Sequence, residues 1–182
     1  MDQKEMNLEL FPGLITGNEL KELIPQCMEN YDEKNIHAYS YDLRNSRFQR
    51  SITSHSHELE HGKGYKLYSG KSAIVFSEET INLPLDVIVF LKLKDYGIPE
   101  GLSLIWPIRV LGHGYDRPIC ACVRNNDPTY FEISKGESIV QAFFLKLPVK
   151  SSDYDEELQN VDENIDCVIQ LHKFIQLCKT TK

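Results

Sequence analysis

Hydrophobic and polar positions follow three different patterns along this chain, and each pattern predicts a different kind of element. Over residues 14–30, apolar side chains recur near helical spacing, at Leu14, Ile15, Leu20, Leu23 and Ile24. Thr16 or Asn18 can cap the first turn, and Pro25 is expected to end or kink the segment because proline cannot donate a helical hydrogen bond. The first pattern therefore predicts an N-terminal helix.

The second pattern consists of short apolar segments punctuated by Gly, Pro, Asn and Asp, and it extends from Ala38 to about Val149. The segments are Ala73–Phe76, Val87–Leu93, Leu102–Val110, Ile119–Val123 and Ile139–Leu147. Short strands at this spacing are typical of an all-β sandwich or barrel. The sequence therefore predicts a mainly β fold.

The third pattern lies at the C-terminal end. Residues 151–164 are acidic and are expected to form an exposed linker. A helical repeat of apolar positions follows, at Ile165, Val168, Ile169, His172, Ile175 and Cys178. We therefore expect two units, a β domain with its N-terminal helix over 1–150 and a linker with a C-terminal helix over 151–182. The apolar stripe of that helix must be buried, on its own barrel or on a neighbouring subunit.

Composition narrows the choice of partners. The net charge of -7 argues against binding DNA or RNA, which requires clustered Lys and Arg, but it allows a free nucleotide. No apolar run approaches the roughly 20 residues that cross a bilayer, so no membrane partner is expected. The charged first residues and the five cysteines without framework spacing favour a reduced, cytoplasmic protein.

Several motifs occur in a fixed order. Tyr39–Arg44 ends in Asp-Leu-Arg, Leu67–Val87 reads as a hairpin that ends in Leu-Pro-x-Asp, and Gly136–Phe144 reads Gly-x-x-Ile-x-Gln. In their order and spacing these motifs resemble the dCTP deaminase/dUTPase superfamily, and the dCTP deaminases more than the dUTPases. The resemblance covers roughly residues 12–148.

The resemblance implies a distorted β-barrel or jelly-roll of the dUTPase-like type, which here would carry one helix at each end. It also implies a homo-oligomer, most plausibly a trimer, with a nucleotide bound between subunits. A closed arrangement of short strands is physically reasonable because it leaves few unpaired edges.

The phosphate-binding motif of that family begins Arg-Ser-Ser and ends in a second Arg, and ungapped counting places these positions at Lys94, Asp95, Tyr96 and Pro99. Lys94 keeps a positive charge but lacks the bidentate fork of Arg. Asp95 would repel a triphosphate unless a metal ion bridges them, and Pro99 removes the second cation. The phosphate-binding motif is therefore largely lost.

The catalytic positions of the family are also changed. The deaminase Glu falls at Cys122, and a thiol is a poor proton shuttle unless its pKa is lowered. The water-activating Asp of the dUTPases falls at Gly112. No catalytic residue is therefore predicted, and the resemblance leaves five candidates for nucleotide binding, Gln141 first and then Lys94, Arg117, Tyr115 and Asp42.

Two other groups of residues have both a chemical and a structural interpretation. His55, His57 and His61 could bind Zn²⁺, but a polar loop is the favoured interpretation. Cys120 and Cys122 point to the same face of a strand, where a role as small apolar residues is favoured over metal or redox chemistry. No resident metal is predicted, and Mg²⁺ is expected only with a bound nucleoside triphosphate.

Two functions remain open. The first is a catalytically degenerate homologue, a pseudoenzyme that binds a nucleotide or a protein partner in a regulatory or structural role. The second is an active enzyme on dCTP or dUTP, with Lys94 and Arg117 on phosphate and Asp95 or Asp116 holding Mg²⁺. Convergence of Lys94, Asp95 and Gln141 in one cleft would keep the enzyme hypothesis open, and their dispersal would favour a binding or scaffold role.

Overall fold

A computed structural model describes residues 13–50, 55–94, 101–105, 109–112 and 115–148. The helical elements are α1, Gly17–Cys27, and a 3-10 turn at Glu33–Asn35. The strands are β1 Gly13–Leu14, β2 Met28–Glu29, β3 Tyr41–Gln49, β4 His57–Glu58, β5 Tyr65–Leu67, β6 Ser72–Ile81, β7 Val87–Leu93, β8 Leu102–Leu104, β9 Arg109–Leu111, β10 Pro118–Asn125, β11 Phe131–Ile133 and β12 Ser138–Lys146. The predicted mainly β fold is confirmed, whereas the predicted C-terminal unit, 151–182, lies outside the described residues.

Helix α1 is shorter than predicted because both of its flanks pair with strands. Leu14 lies opposite Leu145 of β12, and Met28 lies opposite Ile81 of β6. The buried side of the helix packs into the core through Leu20, Leu23, Ile24 and Cys27. Of the two effects predicted for Pro25, it does not end the helix, which continues to Cys27, and its side chain lies on the exposed side.

Most of the strands form one curled antiparallel sheet in the order β8-β10-β6-β3-β12-β7-β9. The short strands β1, β2 and β4 pair with β12, β6 and β3, and β11 and β5 form a separate pair. The two arms of the sheet, β8-β10-β6 and β12-β7-β9, contribute buried residues to one hydrophobic core, including Val75 and Val123 from one arm and Val89 and Phe144 from the other.

Strand β3 joins the two arms. Residues Tyr41 to Arg44 pair with β12, and residues Asn45 to Gln49 pair with β6, with a register shift between Asn45 and Arg47. A bulge of this kind bends a strand and re-aims its side chains. The polar side chains of β3 are therefore presented where the two arms meet.

The predicted single strand Leu102–Val110 is wrong. The segment contains two short strands, of which β8 pairs with β10 and β9 pairs with β7, at opposite ends of the sheet. Pro107 lies between them in the sequence and cannot donate a ladder hydrogen bond, which favours a break in the pairing.

Asn125, at the end of β10, connects the small β11-β5 pair to the main sheet. Its buried amide donates to the carbonyl oxygens of Leu67 at 2.8 Å and Thr129 at 2.7 Å, and its Oδ1 accepts from the Asp127 amide at 2.9 Å. One satisfied side chain thereby fixes the positions of two loops. Within the described ranges, no helix is long and apolar enough to cross a membrane.

Candidate functional site

Three side chains converge on the carboxylate of Asp42. The Gln141 Nε2 amide donates to Oδ1 at 2.8 Å, while Lys94 Nζ and His37 Nε2 contact Oδ2 at 2.5 Å and 3.1 Å. Asp42 is only 3% exposed, so these contacts replace the water that the carboxylate would otherwise bind. We call Asp42, Lys94, Gln141 and His37 the Asp42 cluster.

The sheet register produces this convergence. Asp42 and Gln141 lie directly opposite each other on β3 and β12, so their side chains are cross-strand neighbours. Lys94 follows the last residue of β7, and its amide donates to the Ile139 carbonyl at 3.0 Å, which holds the end of β7 against β12. His37 is brought in by a tight turn in which its own amide donates to the Ser40 carbonyl at 2.8 Å.

The Asp42 carboxylate is stabilised as an anion. Burial by itself raises its pKa, but the hydrogen bonds from Lys94, Gln141 and His37 outweigh burial, and the net effect lowers the pKa below its ordinary value of 3.8. At neutral pH the cluster therefore contains a buried negative charge with a lysine held against it. The side chain of Lys94 remains 30% exposed, and that of His37 46%.

The Asp42 cluster has hydrogen-bonding capacity left for a ligand. An ammonium group carries three donors and a primary amide carries two, so Lys94 and Gln141 can each donate to an additional acceptor. Such donors suit the oxygens of a phosphate group. Within the described residues no three His, Cys, Asp or Glu side chains group together as metal ligands, so the polar chemistry on view is that of hydrogen bonding and charge.

A second polar network lies further along β3 and is centred on Glu79, which is completely buried. Its carboxylate accepts from Arg44 Nε at 2.8 Å, from the Arg44 amide at 3.0 Å and from the Tyr41 hydroxyl at 3.0 Å. The Arg44 guanidinium also contacts Glu78 at 3.1 Å and donates to the Asn30 carbonyl. This network joins β3 to β6 and to the chain that follows α1.

Burial dominates the charges in the Glu79 network. It raises the pKa of Glu79 despite the adjacent Arg44 guanidinium, and together with the Glu79 carboxylate it raises the pKa of the Tyr41 hydroxyl. All three nitrogens of the Arg44 side chain have partners, namely Glu79, Glu78 and Asn30. Each nitrogen is thus engaged within the chain, which fits a structural role for this network.

An open groove lies apart from the Asp42 cluster. It has a volume of about 1110 Å³ and is lined by residues that include Arg44, Arg47, Glu58, Glu78 and Lys135. The Arg47 Nε has no hydrogen-bond partner, and its guanidinium lies 4.6 Å from the centre of the Phe76 ring. Both acidic and basic side chains line this groove, so its charge selects no particular class of ligand. We therefore favour the Asp42 cluster.

Of the five predicted binding residues, the structure brings together Asp42, Lys94 and Gln141. Tyr115 and Arg117 lie just before β10, where the Tyr115 hydroxyl donates to the Pro118 carbonyl at 2.9 Å. The Arg117 guanidinium lies 5.2 Å from the centre of the Tyr115 ring. The Arg117 carbonyl also accepts from the Ile81 amide of β6 at 3.5 Å. Asp95 lies outside the described residues.

The positions that resemble catalytic ones hold no carboxylate. Cys122 is 4% exposed and packs with Ile74 in a small cluster that Phe76, Ile105 and Cys120 complete. Cys120 and Cys122 therefore share a face of β10, as predicted. Of the three histidines, His57 lies in the short strand β4 and stacks on Phe48, with ring centres 5.4 Å apart.

Two residues of these networks were not predicted from the sequence. No sequence pattern marked His37, because its contact with Asp42 depends on the turn that precedes β3. Glu79 did give one, because on β6 it follows the inward positions Ala73, Val75 and Ser77 at a spacing of two. A carboxylate at an inward position of a strand requires a buried partner, and Arg44 provides it.

The curled antiparallel sheet has the fold of a solved dCTP deaminase. Among solved structures, the chain is similar to the 2'-deoxycytidine 5'-triphosphate deaminase from Agrobacterium tumefaciens, with a TM-score of 0.62 and 17% identity over 74% of this chain and 48% of that chain. The dUTPase from Streptococcus mutans matches with a TM-score of 0.48 and 17% identity, over 67% of this chain and 96% of that one.

This likeness is one of fold. The match spans about half the length of the deaminase chain. No protein-family model and no curated protein matches the sequence. The fold that the motifs implied is thus confirmed.

Proposed function

We propose that this chain is a dCTP deaminase/dUTPase-like protein that binds a nucleotide through the Asp42 cluster and acts in a regulatory or structural role without turning the nucleotide over. The observation that carries the proposal is that Lys94 and Gln141 both donate to the buried carboxylate of Asp42. The cluster thereby unites three of the five residues selected from the sequence.

In this proposal Asp42 positions the two donors and does not itself contact the phosphate. Its negative charge holds the Lys94 ammonium beside the Gln141 amide, so that their remaining N–H groups can donate hydrogen bonds to phosphate oxygens. The donors are pre-oriented, which reduces the entropy that binding would otherwise cost. A single lysine is a weak site for a triphosphate, so Mg²⁺ is expected to accompany the nucleotide.

The absence of turnover is proposed from the surroundings of Cys122. At this position the dCTP deaminases that the chain resembles carry a Glu, whereas here a buried thiol packs among Ile74, Phe76 and Ile105. A thiol is a poor substitute for a carboxylate as a proton shuttle, and these three neighbours carry no group that could transfer a proton to or from a base. Gly112, at the position resembling the dUTPase Asp, offers no side chain at all.

An active dCTP deaminase or dUTP pyrophosphatase is the second candidate function. It is favoured by the same convergence, because Lys94 and Gln141 lie where a rebuilt phosphate site would need them. Asp95 or the exposed Asp116 would hold Mg²⁺ in that case.

We further propose that the protein is a cytoplasmic homotrimer that does not bind nucleic acid. The family that the chain resembles binds its nucleotide between subunits, and we propose that Tyr115 and Arg117 reach the nucleotide in such an assembly. Light scattering on the purified protein tests this proposal, and a monomer would remove Tyr115 and Arg117 from the list of nucleotide-binding residues.

A thermal-shift and turnover screen tests the proposed function. The ligands are dCTP, dUTP, dTTP and ribonucleotides, each with and without Mg²⁺. A ligand that binds only the folded protein raises the melting temperature, because at a concentration of 100 Kd it stabilises the folded state by about 2.7 kcal/mol. We expect a shift without turnover.

Matched variants assign the shift to the Asp42 cluster. Lys94→Ala and Gln141→Ala are expected to abolish it, whereas the exposed residues Lys63 and Gln26, changed to Ala, should leave it intact. The absence of a shift with every nucleotide would contradict the proposal. Turnover that Asp95→Ala and Asp116→Ala each eliminate would establish the second candidate instead.

A further inference from the structure

One face of the β12-β7-β9 arm is apolar and points away from the core. Along β7, Val87, Val89 and Leu91 are buried in the core, so Ile88 and Phe90 point to the opposite side. The strand register places Val110, Phe90 and Phe143 in one row across the arm, and Ile88, Leu145 and Leu14 in the next. We call these six residues the outer face.

The outer face is accessible to solvent. Val110 is 51% exposed and Leu14 is 47% exposed, and they lie at opposite edges of it. The ring of Tyr39, itself 52% exposed, stacks on Phe143 with centres 6.0 Å apart and extends the apolar surface. Clustered apolar side chains of this kind usually mark a surface that another element or molecule covers.

The chain itself contains a segment whose apolar side chains also need to be buried. Residues 165–178 repeat apolar positions at helical spacing, and a helix with such a stripe must bury it. We propose that the predicted helix of residues 165–178 packs with this stripe against the outer face of its own chain. The proposal is independent of the nucleotide site proposed above.

The dimensions of the two surfaces agree. A helix from Ile165 to Cys178 is about 20 Å long at ~1.5 Å per residue. The outer face spans the four strands β1, β12, β7 and β9, or about 14 Å at ~4.8 Å between neighbours. The helix can therefore lie across the whole arm and contact both rows of apolar side chains.

The place where the described chain ends favours this occupant over a second molecule. Strand β12 contributes Phe143 and Leu145 to the outer face and ends at Lys146, where the Leu147 amide donates to the Asp86 carbonyl at 2.7 Å. The chain leaves the sheet beside the surface to be covered. The linker 149–164 can span up to about 50 Å at ~3.3 Å per residue, so it reaches any point on the arm.

The charges next to the predicted helix and next to the outer face are complementary. The acidic residues Asp162 and Glu163 immediately precede the predicted helix. On β7 the outer face is bordered by Lys92, which is exposed. A helix whose N-terminal end lies near Lys92 would place opposite charges together at the edge of the apolar contact.

Hydrogen exchange measured by mass spectrometry on the full chain tests the proposal. Peptides covering 165–178 are expected to be protected in the unmodified protein, and to lose that protection both in Ile169→Asp, on the stripe, and in Val110→Asp, on the outer face. Binding of a hydrophobic dye should rise in both variants. Gln170→Asp, on the opposite side of the predicted helix, and Tyr130→Asp, at an exposed tyrosine outside this arm, are the matched controls and should change neither readout.

Three outcomes would overturn the proposal: no protection of 165–178 in the unmodified protein, protection that Val110→Asp leaves intact, or a fall in molecular mass in Ile169→Asp. The last result would assign the outer face to a second copy of the chain. If Val110→Asp fails to fold by circular dichroism, Leu14→Asp at the other edge of the outer face serves the same test.

Discussion

Replacing Glu79 with Ala is expected to destabilise the protein far more than the same change at Glu78, although the two residues are adjacent and both contact Arg44. Glu79 is completely buried and accepts from Arg44 Nε, the Arg44 amide and the Tyr41 hydroxyl. Its removal leaves these donors without an acceptor inside the protein. Removing one partner of a buried ion pair costs about 3–5 kcal/mol. Here the loss is that of a buried acceptor with three donors, while the Arg44 guanidinium keeps its contact with Glu78.

Glu78 also contacts the Arg44 guanidinium, but at a position that is partly exposed to solvent. Its carboxylate lies 3.1 Å from Arg44 Nη1, and the two side chains are 23% and 22% exposed. Ion pairs near the surface contribute about 0.2–1 kcal/mol, because water already solvates both groups. We therefore expect the free energy of unfolding to fall by at least about 2 kcal/mol more in Glu79→Ala than in Glu78→Ala, from the same two ranges.

Urea denaturation followed by far-ultraviolet circular dichroism measures both changes, at one protein concentration in case the chain is oligomeric. The double variant Arg44→Met with Glu79→Leu removes both charges and is expected to recover much of the loss, since apolar pairs often replace buried ion pairs at little cost. Equal losses in the Glu78 and Glu79 variants would refute the argument, because burial would then not determine the contribution of the contact.

Three further predictions follow from described contacts. Asp42→Asn should lower the free energy of unfolding by about 2 kcal/mol at pH 7, because a buried carboxylate with charged donors loses its charge. Since the pKa of Asp42 is lowered in the folded protein, this difference is present above pH 3.8 and disappears as the pH falls through the folded-state pKa. Unfolding measured at pH 7 and pH 3 checks this dependence. Burial raises the pKa of the Cys27 thiol to about 12, so mass spectrometry should find Cys27 unmodified by iodoacetamide at neutral pH until urea unfolds the protein. A Cβ on Gly101 would lie 2.7 Å from the Asp127 amide nitrogen, so Gly101→Ala should lower the free energy of unfolding by about 1–3 kcal/mol in the same urea assay.

The sequence predicted the strands best where apolar residues are continuous. Strand β7 was predicted with its observed bounds, Val87–Leu93, because a run of apolar residues between turn signals is a strong pattern. The segment Leu102–Val110 looked equally apolar, but its two parts pair at opposite ends of the sheet. Hydrophobicity alone contains no information about which strand is the partner, so this division could not be predicted from it.

The site was predicted in part for a related reason. Motif positions selected Asp42, Lys94 and Gln141, and the sheet register brings them together. His37 joins them through a local turn, and turns of that kind leave little trace in a sequence pattern.

The position of β3 in the sheet has a consequence for synthesis of the protein. Arg44 lies opposite Ser138, so the N-terminal half of β3 has no β12 partner until the chain has been made as far as Ser138. Ribosomes add about 5–20 residues per second, so the N-terminal half of β3 remains without its β12 partner for roughly 5–20 s. During that interval Tyr41 and Leu43, which end up in the core, lie beside an unpaired backbone. The nascent chain is therefore most prone to aggregation, and most in need of a chaperone, before β12 emerges.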